Sequence, residues 1–489
     1  MDLLRTDKDT LTSDDILAQI ADYEAKEVPE LDKMWDYYEG ENCKILDRKT
    51  PDPNNPDNKI VVPYGRKIIN TFTGYAYRPH YITYKANVEM EGADAATMPA
   101  NPAEKVFMQE LQHVFDDNNE HIKTSRAGRN TGIFGLSYEL LYFDMIGNEV
   151  DPRFFTVDPR QMILLYDYAP EPNIKMAIRF YKINKNKYKV EVYYPDRVEL
   201  YDRTRDDLEN KWHLIPTAAS PNFFGTVPVV PYYMGDEAQS IIEPVISLID
   251  AYDVLFSDSM NEFDRFAFAY LVMKKFGLTD PVQKKDPTKE NWALKLLKRR
   301  RIFENLPADA DIKFLTKDIP TEFIQYMAQS LRDQIHIQSH VPDFTSDKMA
   351  GTSGIAIQRL MFDFENLVSS AEADFDVGLY RRIELLADVL GKLGRPTGTP
   401  DMVTISHKRN VPLNLQEFAQ TALTMNQAGF SKWLQADIMP DDIIPNVEEE
   451  LDRQDEEAKA SFDAMQFGPT GLDAGASEPI PPEGANNGA

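Results

Sequence analysis

The sequence predicts an α+β chain, mainly helical, and three observations carry that expectation. Apolar residues recur at helical spacing through Ile357, Leu360, Met361, Phe364, Leu367, Val368, Ala371, Phe375, Leu379, Ile383, Leu386 and Leu390, up to Gly391. At about 1.5 Å per residue, that one helix is roughly 55 Å long. Residues 136–233 instead alternate: Tyr188, Val190, Val192 and Tyr194 interleave with Lys189, Glu191 and Tyr193, and Val198, Leu200, Trp212 and Leu214 continue the sheet pattern. From Asp236 the texture returns to helix through Ile241, Val245, Ile249, Tyr252, Leu255 and Met260, and again over Glu322–His340.

The elements follow in order. Thr12-Ser13-Asp14-Asp15 reads as a helix start ahead of Ile16, Leu17, Ile20 and Tyr23. Pro29 interrupts that pattern, and Leu31, Met34, Trp35 and Tyr38 resume it up to Gly40. Lys49–Lys59 is turn chemistry; it lacks the glycine and closing glutamate of a calcium loop. Gly128–Gly135 and Gly351–Gly354 lack the Lys-Ser/Thr that a phosphate loop needs, so turns or close packing are expected at the first. Pro342 stops the helix that precedes it. A small, polar loop with glycines then runs from Asp343 to Gly354, an unusually long connection between two helices.

Composition narrows the function classes. A chain of 489 residues is too long for one ordinary core, and no stretch reaches the apolar length of a membrane span. The polar start MDLLRTDKDTLTSDD lacks the pattern of a signal peptide, and the lone Cys43 excludes an intrachain disulfide framework. A formal net charge of −27 argues against general affinity for a polyanion. Charge is also segregated. Ten basic residues against three acids lie between Lys274 and Arg301, including Lys295, Lys298, Arg299, Arg300 and Arg301, whereas ten acids face Arg453 alone between Asp437 and Glu457. No Gly-x-Ser-x-Gly elbow occurs, and no catalytic residue is expected. His336 and His340, at i and i+4, would share a helix face, but the glutamate of a zinc protease is replaced there by Ile337 and Gln338. No metal or cofactor is expected.

The phrase H-V-P-D-F, a loop, then G-T-S-G-I-A-I-Q opening a long helix resembles the tunnel-loop region of the portal proteins of long-tailed (siphovirus-type) bacteriophages. Other blocks resemble that family in its own order: Tyr37–Arg48, Asn58–Tyr64, Ile68–Tyr75, Ser247–Asp258, His407–Asn414 and Glu448–Arg453. The resemblance implies a wing over 1–236 and 355–411, stem helices over 237–264 and 321–341, a clip over 265–320, a tunnel loop over 342–354, a crown over 412–465 and a disordered tail over 466–489. It implies a ring, twelve subunits in the mature particle, around an axial channel at one capsid vertex. Lys348, Met349, Gly351, Thr352, Ser353 and Gly354 would then face double-stranded DNA. Lys295, Lys298 and Arg299–Arg301 would meet acidic partners or DNA in the clip. The implied partners are the terminase motor, a head-completion or adaptor protein, and the major capsid and scaffold proteins. The implied location is the virion, after assembly in the host bacterial cytoplasm, with no membrane involved. Two other readings compete: a scaffold or head-morphogenesis protein, and a metal-dependent DNA-processing enzyme using His336 and His340.

Overall fold

The computed structural model describes residues 3–49, 55–87, 102–146, 149–206, 211–235, 238–267, 270–274, 311–315, 321–344, 354–409 and 415–437, with isolated positions from 447 to 454. The chain divides into two compact units, Met1–Val411 and Pro412–Ala489.

The larger unit begins with α1 (Ser13–Glu39), where Thr12 and Asp15 form a reciprocal capping box and Gly40 closes the helix at φ 81. Pro29 does not break it. Ile16, Ile20 and Tyr23 before the proline, and Leu31, Met34 and Tyr37 after it, enter the same core. That burial outweighs the roughly 3 kcal/mol an interior proline costs. After α2 (Cys43–Leu46), α3 (Tyr64–Ala76), β1 (Ile82–Ala86), α4 (Pro102–Asn118) and α5 (Glu120–Phe134), the chain enters its sheets.

The expected β region is present as two antiparallel sheets. One has the order β3-β2-β9, with β2 Leu136–Ile146, β3 Glu149–Val157 and β9 Val229–Tyr233. The other is the meander β4-β5-β6-β7-β8: Met162–Tyr166, Ile174–Asn184, Lys187–Tyr193, Arg197–Asp206 and Lys211–Pro221. Alternation along β2 sends Leu136, Tyr138 and Leu140 into a smaller core, while Leu141 joins the main core and Ser137 and Glu139 are buried with it on the opposite face from Tyr138. The glycines of 128–135 lie in and after α5. A Cβ on Gly128 would meet the Tyr77 ring at 2.3 Å, and Gly135 is the left-handed cap at φ 78.

Next come α6 (Ile246–Ala267), the antiparallel pair β10 (Tyr270–Lys274) and β11 (Asp311–Leu315), α7 (Thr321–Gln338) and α8 (Gly354–Lys392). The helices differ from expectation at their ends. α6 begins at Ile246, not at 237, because a 3-10 turn over Glu243–Val245 precedes it. α7 ends at Gln338, not 341; His340 takes φ 56, so the chain has turned before Pro342 can act. α8 has 39 residues, or roughly 58 Å. β12 (Val403–His407) then pairs antiparallel with β1, closing the unit on its own N-terminal third. In the smaller unit, α9 (Leu415–Gln427) and α10 (Lys432–Asp437) are separated at Gly429, φ 80. Among the described residues no helix is long and apolar enough to cross a membrane.

Candidate functional site

The site begins at α6, whose faces do different work. Asp250, Asp253, Ser257, Asn261 and Asp264 recur at spacings of three and four, so they share one side of the helix. That side grips the extended segment 58–62. The Asn58 N–H donates to Asn261 Oδ1 at 2.7 Å, Ile60 N–H to Ser257 Oγ at 2.9 Å, and Val62 N–H to Asp253 Oδ1 at 2.9 Å. Two extended residues advance about 6.8 Å and four helical residues about 6 Å, so the alternate amides of an antiparallel strap meet successive side chains. Tyr37 O–H donates to Asp250 at 2.6 Å, and the Asn42 amide to Asp253 at 2.6 Å, tying α1 and α2 to the same side. Burial, the largest influence, holds the Asp253 carboxyl above the usual range, although Val62 and Asn42 pull it down. These polar residues carried no signal in a reading for apolar periodicity; only their three–four spacing opposite an extended segment could have revealed them.

A second side of α6 packs on α7. A third carries Phe256, Met260 and Phe263, and α7 carries Phe323, Tyr326 and Ile337 along one side of its own. All six are exposed, with Phe263 at 64% and Tyr326 at 67%. In the main core comparable side chains are almost wholly covered.

Between α7 and α8 the chain is fixed at its base. Nδ1 of buried His336 lies 2.8 Å from the Val341 carbonyl oxygen, so Nδ1 carries the proton. Its Nε2 faces Asp343 at 3.9 Å, and the Tyr64 ring packs edge-on against the imidazole. Asp343 is held by Lys67 at 2.9 Å and lies 3.7 Å from Arg332. Burial, the largest influence, lowers the His336 pKa from its ordinary value despite the Val341 bond. His340 lies beyond the helix end and is exposed, so the two histidines do not share a face as their spacing suggested. No cluster of three or more metal-ligating side chains occurs among the described residues.

Past the loop, α8 is anchored by charge. Fully buried Arg382 donates from Nε to Glu139 Oε1 at 2.7 Å, from Nη2 to Glu139 Oε2 at 2.9 Å, and from Nη1 to Glu120 at 3.0 Å and Thr124 at 3.0 Å. Tyr84 O–H adds a bond to Glu120 at 2.6 Å. One side chain thus joins α5, β2 and α8. Burial pushes the Glu139 carboxyl up against the pull of Arg382, and brings nearby Lys123 down to about 8. Towards the loop, Arg409 binds Glu365 at 3.1 Å and also Glu372, while His407 Nε2 lies 2.8 Å from Asp376. Tyr75 O–H also donates to Glu365. The signal for this anchor was the Arg381-Arg382 pair inside an apolar helical run.

Of the residues expected to face DNA, Gly354 is the first residue of α8. Lys348, Met349, Gly351, Thr352 and Ser353 lie outside the described residues, as do Lys295, Lys298, Arg299, Arg300, Arg301 and the tail from 466. What the structure supplies is the frame: a hydrogen-bonded base at His336–Asp343, a helix opening at Gly354, and the paired α6 and α7.

Comparison with known proteins identifies the family. The family described as phage portal protein, SPP1 Gp6-like, matches residues 17–461. The portal protein of Bacillus phage SPP1 is 21% identical over 367 residues, covering 72% of this chain and 70% of the relative. Among solved structures, the neck of the native gene transfer agent particle computed with C12 symmetry aligns with a TM-score of 0.44 and 11% identity, over 78% of this chain and 91% of that one. The virion of the native gene transfer agent particle gives 0.41 and 11%, over 76% and 87%. With the family match running from α1 to beyond the smaller unit's helices, this chain belongs to the SPP1 Gp6-like family of phage portal proteins.

Proposed function

We propose that this portal protein works as a head-to-tail ring whose subunits contact one another through α6 and α7, leaving an axial channel for double-stranded DNA. The observation that carries the reading is the exposed apolar side of that helix pair. Six large apolar side chains exposed along two packed helices are more than a monomer leaves to water without reason. A heterologous contact closes when its rotation divides the circle, and twelve copies fit the family. In this assembly 237–264 and 321–341, which hold most of α6 and all of α7, are the stem, 265–320 the clip, 342–354 the tunnel loop, 412–465 the crown, and 1–236 with 355–411 the wing. The division at Val411 and Pro412 supports a separate crown.

Such a channel must let DNA slide, so its contacts have to be weak and salt-sensitive. A chain of net charge −27 with an isolated Lys348 in the loop suits that requirement. The clip cations Lys295, Lys298 and Arg299–Arg301 are suited to an acidic face of the terminase or of an adaptor protein. Other capsid and scaffold proteins are expected partners at the vertex, in a particle assembled inside the bacterial host. The protein has no catalytic role in this scheme.

The test is electron microscopy and mass photometry of the purified full chain, beside Phe263→Glu/Tyr326→Glu. The wild type is expected to form rings with a central hole, and the double variant to remain as smaller species with an unchanged melting temperature. Monodisperse wild-type monomer at micromolar concentration and physiological salt would refute the reading.

A further inference from the structure

A cavity of about 280 Å³ opens between the N-terminal segment, α1, the sheet strands and the middle of α8. That volume is many times the space one water needs and just below the range that encloses a drug-sized molecule. It suits a single side chain or a small amine.

Four tyrosines line it: Tyr138 on β2, Tyr166 on β4, Tyr233 on β9 and Tyr23 on α1. The hydroxyls of Tyr166 and Tyr233 lie 2.8 Å apart. The N-terminal segment forms another wall, because Thr6 N–H donates to the Tyr166 carbonyl and Tyr166 N–H to the Leu4 carbonyl, each at 2.8 Å. Two carboxylates, Glu27 and Asp374, complete the lining. Asp374 accepts the Gly235 N–H at 3.0 Å through Oδ2. Glu27 has no ion-pair partner among the described residues, and its neighbour Lys26 is committed to Asp22 at 2.7 Å. Arg381, the cation whose field reaches Tyr166, is bound to the Val229 and Val227 carbonyl oxygens instead.

The cavity therefore combines aromatic walls and two negative charges, with no lysine or arginine among its described lining residues. Both carboxylates are half-buried, so a cation can reach them from solvent. Aromatic faces attract cations and repel anions. We propose that this cavity binds an alkylguanidinium or alkylammonium group, its charge between Glu27 and Asp374 and its aliphatic stem along Leu4.

The probe is Nα-acetyl-arginine amide, titrated calorimetrically into the full chain, with Nα-acetyl-norleucine amide as the uncharged match. Butylamine serves as a free-amine arm. The arginine derivative is expected to saturate one site per subunit, at least tenfold more tightly than the norleucine derivative. Glu27→Gln/Asp374→Asn should weaken it at least tenfold with an unchanged melting temperature, since the amide oxygen introduced by Asp374→Asn can still accept the Gly235 N–H. Butylamine binding equally well identifies free amines as occupants; butylamine binding more weakly identifies a protein's basic side chain. Absence of saturable binding, equal binding of the norleucine derivative, or undiminished binding by the double variant would each overturn the proposal.

Discussion

The two ends of α8 share one periodicity and differ in almost everything else. From Arg382 to Leu390 only Glu384 and Asp388 are exposed, and the helix is packed nearly all round. From Met361 to Ser370 one side is open, with Phe362, Asn366, Ser369 and Ser370 facing out. The anchored end is fixed by Arg382, whose charge has no access to water and is matched by Glu139 and Glu120. The open end is fixed by Arg409 reaching Glu365 and Glu372 from outside the helix, with all of these groups except Glu372 partly exposed. The contrast teaches that hydrophobic pattern sets where a helix runs, while the burial of its charges sets how strongly each end depends on its partners.

The comparison breaks first at Arg382. Arg382→Met leaves Glu139 and Glu120 buried without a counter-charge and is expected to cost about 3–5 kcal/mol, read by urea or thermal unfolding. Arg382→Met/Glu139→Leu should recover much of that loss, because replacing both members of the pair strands one carboxylate fewer. The close packing of the same region is tested at Gly378, where a Cβ would lie 2.4 Å from the Tyr232 ring. Gly378→Ala should cost about 1–3 kcal/mol through overpacking.

A smaller effect separates the base of the loop from the anchored end. His336 has a lowered folded pKa, so its contribution to stability is fully present above the unfolded value of 6.5 and is lost as pH falls through the folded one. Asp343 opposes the shift, whereas Lys67 on α3 and Arg332 on α7 itself reinforce it, and the Tyr64 ring packs against the imidazole. Between pH 7.5 and 5.5 the wild type should lose more stability than His336→Asn, whose amide can replace Nδ1–H towards Val341. A parallel pH dependence in both proteins would remove His336 as the cause. The smallest effect on folding is expected at the open helix pair. Phe263→Glu/Tyr326→Glu should move stability by no more than about 0.5 kcal/mol, since both side chains are exposed in the single chain.

One loop substitution is also sharpened. Because Gly354 opens α8, a proline there sits at the first helical position, where its missing N–H costs nothing. Gly351→Pro/Gly354→Pro must therefore act mainly through Gly351. On the proposed channel reading it should reduce packaged DNA while heads still assemble, and Lys348→Ala should do so more mildly.

Much of the fold could be read directly from the residues. Capping chemistry at Thr12 and Asp15, the left-handed glycines, the alternation through Val190 and Val192, and the 3.6-residue repeat of α8 are local signals, and local physics realises them. Family membership was equally legible, because the motifs occur in order along the chain. Three features depended on the assembled core. Pro29 stayed within a helix because burial on both sides of it outweighed a local preference. His336 and His340 parted because a left-handed turn at His340 precedes Pro342. The charged residues that hold α6 and α8 lie hundreds of positions from their partners: Asp253 from Val62, Arg382 from Glu139. The sequence by itself determined the elements and the order in which they form a portal chain. Tertiary structure alone decided which charges were buried together, since the energy of a buried charge depends on its partners in space and not on its neighbours in the chain.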